Sequence, residues 1–170
     1  MRAVPLLCLL AAAMSACSET PEQTPSVTDQ ASDQARPSKP DQGSTACEVL
    51  TNESAAKALG RDVEKLDSSG GPSGLDICQY GYQGERLADM GNVSVTVHPV
   101  DLASVIEGAT AQGYKLEPVA GLGDAAWYSA DVGLYVGKGQ RTAHYLLAAN
   151  GMEDPKGKII ALANDTIGRL

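Results

Sequence analysis

A chain of 170 residues and 17.6 kDa has room for one core with tails and not for two. Its 13 Lys and Arg stand against 21 Asp and Glu, giving a net charge of −8 and a pI near 4.6, the wrong sign for a surface that neutralises phosphates, which argues against nucleic acid as a partner. With no Phe, one Trp and six Tyr, the core must be built from Ala, Val, Leu and Ile with a few Tyr rings.

The chain opens with Met1-Arg2 and an apolar run over residues 3–13, too short to cross a bilayer as a helix, which takes about 20 residues. It reads as the apolar stretch of an export signal. The run ends in Met14-Ser15-Ala16-Cys17, which resembles the lipobox of bacterial lipoproteins, where small residues precede a cysteine. The resemblance implies that residues 1–16 are a signal peptide, cleaved before Cys17, and that the Cys17 sulfur carries a diacylglyceryl group. Met14 departs from the usual Leu, and the plainer alternative is a secretory signal cleaved after Ala16 or Ala13. Each buried methylene contributes about 0.8 kcal/mol, so two or three acyl chains anchor a protein firmly. Ser18 is not the aspartate associated with inner-membrane retention. The lipobox resemblance therefore implies the periplasmic side of the outer membrane in a two-membrane host, and the outer face of the cell membrane otherwise.

Residues 17–46 hold the expected lipidated cysteine and a polar segment rich in Ser, Thr, Gln, Asp and Pro. Pro21, Pro25, Pro37 and Pro40 interrupt any helix, so this segment is expected to be a disordered linker reaching on the order of 30 Å.

The remainder, residues 47–170, is expected to form a single α+β domain with 16 acids and 10 bases. Thr51 can cap a short helix from Asn52 to Leu59 that stops at Gly60, with Leu50 packing onto Ala55. The loop from Ser68 to Asp76 carries Gly70, Gly71, Pro72 and Gly74 and is expected to be mobile. Cys78, Tyr80 and Tyr82 alternate on one face of a strand, and Val93, Val95 and Val97 alternate with Ser94, Thr96 and His98 on another. Asp101 caps a second helix, with Leu102, Val105, Ile106 and Ala109 spaced along it and Gly113 after it. Residues 134–136 and 142–148 read as an antiparallel pair joined by Gly137-Lys138-Gly139-Gln140. Asp154-Pro155 opens a last helix, with Ile159, Ile160, Ala163 and Ile167 expected on one face. The order helix, strands, helix, strands, helix predicts an antiparallel sheet packed by about three helices.

Of four cysteines, Cys8 falls in the signal and Cys17 at the lipobox. Cys47 and Cys78 remain as the only pair in the exported domain, and an oxidising compartment makes them a disulfide. It would close a loop of about 30 residues and contribute roughly 3–4 kcal/mol by the chain-entropy estimate. A redox or metal role would call for a C-x-x-C spacing or histidine ligands, which are missing.

No motif points to catalysis or a cofactor. Gly121-Leu122-Gly123-Asp124-Ala125-Ala126 has the spacing of a dinucleotide fingerprint, but Trp127, Tyr128 and strand-like sequence follow it where a helix is required. The glycines are expected to make a tight turn with Asp124 bonding local amides. Trp127 and Tyr128 are the candidate binding residues, in a ligand groove or over the core edge. Gly71-Pro72-Ser73-Gly74 fails the nucleophile elbow because Leu75 stands where its last glycine belongs. His98 and His144 lie on strand patterns without a nearby sequence partner for a triad or a metal site.

Taken in order, Cys47-Glu48-Val49-Leu50-Thr51, Ala58-Leu59-Gly60, Cys78-Gln79-Tyr80, residues 119–126 and the closing Arg169-Leu170 resemble a family of small bacterial lipoproteins, best known from actinobacteria, whose function is unknown. The resemblance implies a compact α+β domain tethered to a membrane, with no catalytic residues to carry over; the Asn52-Glu53-Ser54 opening is more polar than usual for it. The expectation is a non-enzymatic envelope lipoprotein without cofactor or metal, held to the membrane through its lipid anchor and contacting another envelope protein. A carrier or sensor of a small apolar or lipid ligand, and an inhibitor of an envelope-acting enzyme, are the alternatives.

Overall fold

The computed structural model describes residues 44–67, 75–86 and 89–170. Cys17, the expected signal, the expected linker up to residue 43, Ser73 and the expected loop through residue 74 lie outside these residues. The last three residues of the expected linker belong to the folded part instead: Thr45 caps the first helix, whose first residue, Ala46, is buried.

Among the described residues, four α-helices and seven strands follow one another as α1 (Ala46–Val49), α2 (Asn52–Leu59), β1 (Glu64–Asp67), β2 (Asp76–Tyr82), β3 (Gly91–His98), α3 (Leu102–Ala111), β4 (Glu117–Val119), β5 (Ala125–Ser129), β6 (Gly133–Lys138), β7 (Arg141–Ala149) and α4 (Pro155–Thr166), with a 3-10 turn at Ile167–Arg169. The α+β expectation stands. It is refined by one more helix than expected, the single turn α1, and by strands β1 and β4 at the two edges.

All seven strands join one antiparallel sheet in the order β1-β2-β3-β7-β6-β5-β4. The first three strands form a meander outward-to-centre. The chain then crosses to the far edge through α3 and returns through β4, β5 and β6 until β7 closes against β3. Thr51 accepts from the Ser54 amide, Asp101 from the Ser104 amide and Asp154 from the Gly157 amide, so the three expected caps start their helices. The expected four-residue hairpin is tighter: Lys138 pairs with Arg141, leaving Gly139-Gln140 as the turn, with Gly139 at φ +60° in the type II′ manner. Among the described residues the Asp124 carboxylate bonds no local amide; it accepts from the amide of Gly139, tying the β4–β5 turn to the β6–β7 turn at 2.7 Å.

Alternation sorts the side chains onto two faces. Cys78, Tyr80, Val93, Val95, Val97, Leu134, Val136, Ala143 and Tyr145 share one face and are buried beneath α1, α2 and α4. On the other, a Cβ on Gly137 would press on Leu102, which places α3 on that second face. The stripe that α4 buries is Ile159, Leu162, Ala163 and Thr166, rather than one containing Ile160 and Ile167, which are only half-buried. Thr166 is polar, but its hydroxyl donates to the Leu162 carbonyl at 2.9 Å, leaving a lone pair to accept from the Tyr145 hydroxyl at 2.9 Å. Burial pushes the Tyr145 hydroxyl up to about 12.

α1 is held from several sides. Cys47 is disulfide-bonded to Cys78, the Ala46 amide donates to Asp76, and Arg169 donates to the Val49 carbonyl. Arg141 donates to the carbonyls of Ser44 and Leu170, gathering both at the β6–β7 turn.

Two stability predictions follow from this packing. Thr166→Val strands the Tyr145 hydroxyl and is expected to cost about 1–3 kcal/mol, and adding Tyr145→Phe should restore part of that loss, both read by urea unfolding. Replacing Cys47 and Cys78 together by Ser is expected to cost roughly 3–4 kcal/mol against the oxidised protein in the same assay.

Candidate functional site

Trp127 and Tyr128 do not form one site. As successive residues of β5 they point to opposite faces of the sheet. Tyr128 pairs across from Leu134 and packs on the helix-covered core, whereas Trp127 pairs across from Tyr135 and Pro118 on the α3 face.

Tyr128 lines a cleft of about 470 Å³. The cleft exists because β7 outruns its neighbour. On one side β3 stays paired with β7 as far as Ala149; on the other, β6 pairs with it only as far as Tyr145. Gly133 marks the departure. Its φ is +87°, and a Cβ there would meet the Tyr145 carbonyl, so the chain can turn away at this point only with glycine. The β5–β6 turn, in which the Asp131 amide donates to the Ser129 hydroxyl, forms one wall. The opposite wall comes from the chain after β7: the Met152 amide donates to the Ala149 carbonyl, and Asp154, at φ +48°, turns the chain into α4. Tyr128, Leu147, Met152 and Ile159 give the cleft an apolar floor, while Ser129, Asp131 and Asn150 give it a polar rim. Beside Tyr128, the Lys156 ammonium lies 5.2 Å from the ring centroid and pairs with Glu117 across the exposed surface.

The second face holds the two histidines. The register aligns Ile77, Thr96, His144, Tyr135, Trp127 and Pro118 in one row across six strands. The Tyr135 ring stacks on His144 at 4.2 Å, and His98 sits diagonally with its ring 6.2 Å away. His144 Nε2 lies 2.5 Å from the Val132 carbonyl, which can only accept, so Nε2 carries the proton and Nδ1 is the basic nitrogen. His98 Nε2 is buried without a partner among the described residues. Burial lowers the pKa of both rings; for His144 the Val132 carbonyl opposes this and the neighbouring His98 adds to it. Among the described residues, neither ring is hydrogen-bonded to a carboxylate, serine or cysteine, and no three metal-ligating side chains gather.

The row thus brings together His144, Tyr135 and Trp127, which the sequence pattern leaves on separate segments. Cys47 and Cys78 are joined as expected. The cleft residues Leu147, Met152 and Ile159 carry no motif. Their one legible signal is the unequal length of the two runs flanking the Gly139-Gln140 turn. No family model matches the chain, and no curated protein or solved structure shows significant similarity to it.

Because folding depresses both histidine pKa values, the stabilising contribution of the neutral rings is complete above the ordinary value near 6.5 and is lost as pH falls below it. Thermal unfolding should therefore show a plateau from pH 8 to about 6.5 and a decline toward pH 5, and His98→Gln with His144→Gln should flatten that decline.

Proposed function

We propose that the chain is a membrane-tethered envelope lipoprotein that binds a partner rather than transforming a substrate, with the cleft beside residues 146–149 of β7 as its binding region. The observation that carries the binding reading is the cleft itself. It has an apolar floor, a polar rim and walls set by a sheet, a turn and a helix start, the composition by which binding sites combine affinity with orientation. Met14-Ser15-Ala16-Cys17 supports the tether. Among the described residues no helix is long and apolar enough to cross a membrane, so attachment in this reading rests on Cys17.

A second reading, a carrier of a small apolar or lipid ligand, is favoured by the size of the cleft, which falls within the roughly 300–1,000 Å³ of ligand pockets.

A photo-crosslinking residue at Met152 in the full chain, expressed in its own cells, is expected to yield protein adducts that the same group at exposed Glu107 on α3 does not. Equal labelling from both positions overturns the cleft as the binding region. In native mass spectra of the gently purified chain, an added mass of a few hundred daltons selects the carrier reading. Cys17→Ala should move the chain from the membrane to the soluble fraction, and a chain that stays with the membrane overturns the tether.

A further inference from the structure

The cleft is bounded by a strand with one free side. Residues 146–149 have β3 on one flank, while the position that β6 would occupy on the other is the cleft. The Tyr145 carbonyl points toward β6, since it is what a Cβ on Gly133 would strike. Successive residues of a strand alternate the direction of their backbone groups, so Leu147 and Ala149 direct theirs to the same side, into the cleft. The Ala149 carbonyl is taken by the Met152 amide. Among the described residues nothing on this side pairs with the Leu147 amide and carbonyl or the Ala149 amide, which form a short ladder edge.

We propose that the partner enters as an extended peptide segment that adds to this edge of β7 as a short strand, in line with β6, an inference that rests on the cleft being the binding region. Four residues of edge span roughly 13 Å, which suits a short segment rather than a whole strand. Backbone pairing supplies a sequence-independent part of the affinity, and alternate side chains supply selectivity. On the core face they meet Tyr128, Met152 and Ile159, which calls for apolar residues at every second position. The charge at the cleft selects the flank. Asp131 lines it and Glu153 lies between the lining residues Met152 and Pro155; no hydrogen bond or ion pair engages either carboxylate among the described residues, whereas Lys156 is committed to Glu117. A Lys or Arg next to the apolar positions complements them. The segment is therefore an extended, alternating apolar peptide with a basic flank, presented by another protein.

The test is selection of a displayed library of random eight-residue peptides on the full chain, followed by resynthesis of enriched peptides with and without N-methylation of alternate amides. Enriched sequences should alternate apolar residues and carry Lys or Arg, and N-methylation in the pairing frame should weaken them at least tenfold, because it removes the ladder hydrogens and keeps the side chains. Ala149→Pro removes one edge amide and should weaken binding about fivefold, and Asp131→Lys about threefold with a reduced salt dependence, each with unfolding temperature checked against the parent. The N-methylated peptides need no variant, so an Ala149→Pro chain that fails to fold leaves the test intact. No enrichment, or enriched peptides indifferent to N-methylation in both frames, overturns strand addition. Crosslinking from residue 152 then judges the cleft independently.

Discussion

The pairing of β3 with β7 is the constraint on which the rest of the structure depends. Eight residues of each strand, Gly91 to His98 and Thr142 to Ala149, lie opposite one another and join two meanders that are otherwise separate in the chain. Neither meander buries its own apolar face. Val93, Val95 and Val97 need Ala143, Tyr145 and Leu147 beside them to make a surface wide enough for α1, α2 and α4. A slip of one residue would turn Tyr145 away from Thr166 and put His144 into the core, so burial enforces the register from both faces. The cost is a long-range closure, which must form before the apolar contacts reward it.

The same ladder explains why the cleft lies where it does. β7 has to match β3 over its full length, whereas β6 only has to reach the β5–β6 turn. The surplus of β7 is an edge, and edges in soluble domains are usually blunted by charge, bulges or cover. Here β1 carries a register shift at the outer edge, while the inner edge at residues 146–149 is left beside an apolar cleft. Leu146, on the opposite face of this stretch, is 38 % exposed, so the end of β7 is the least covered part of the central strands.

Much of this architecture was legible in the sequence, for physical reasons that differ by element. Thr51, Asp101 and Asp154 announced helix starts because capping is a local bond between a side chain and an amide three residues on. The strands β2 and β3 announced themselves because one face is buried and the other is not, and Cys47 with Cys78 followed from counting thiols. What escaped depends on contacts between distant segments. α1 is too short to show a period and is held by Asp76, Cys78, Arg141 and Arg169. β4 is three residues with a proline, unrecognisable without β5 beside it. Thr166 joins the buried stripe of α4 with its hydroxyl bonded to both the Leu162 carbonyl and the distant Tyr145 hydroxyl. At the site, Tyr128 was picked out by residue type, but its separation from Trp127 required knowing that β5 is a strand, and the cleft required knowing where β6 leaves β7.

The anchoring of α1 has a mechanical consequence. Tension applied through the chain preceding Ser44 first meets the Arg141 guanidinium at the Ser44 carbonyl and the Asp76 carboxylate at the Ala46 amide. Those hydrogen bonds can release one at a time, but peeling stops at Cys47, where the disulfide passes the load covalently into β2. From Cys78 the force enters the sheet within its own interior, through a strand hydrogen-bonded on both sides, instead of stripping a terminal element away. The load thus reaches the sheet in the row of Cys78, Val95 and Tyr145, two strands away from β7, and not through α2 or α4.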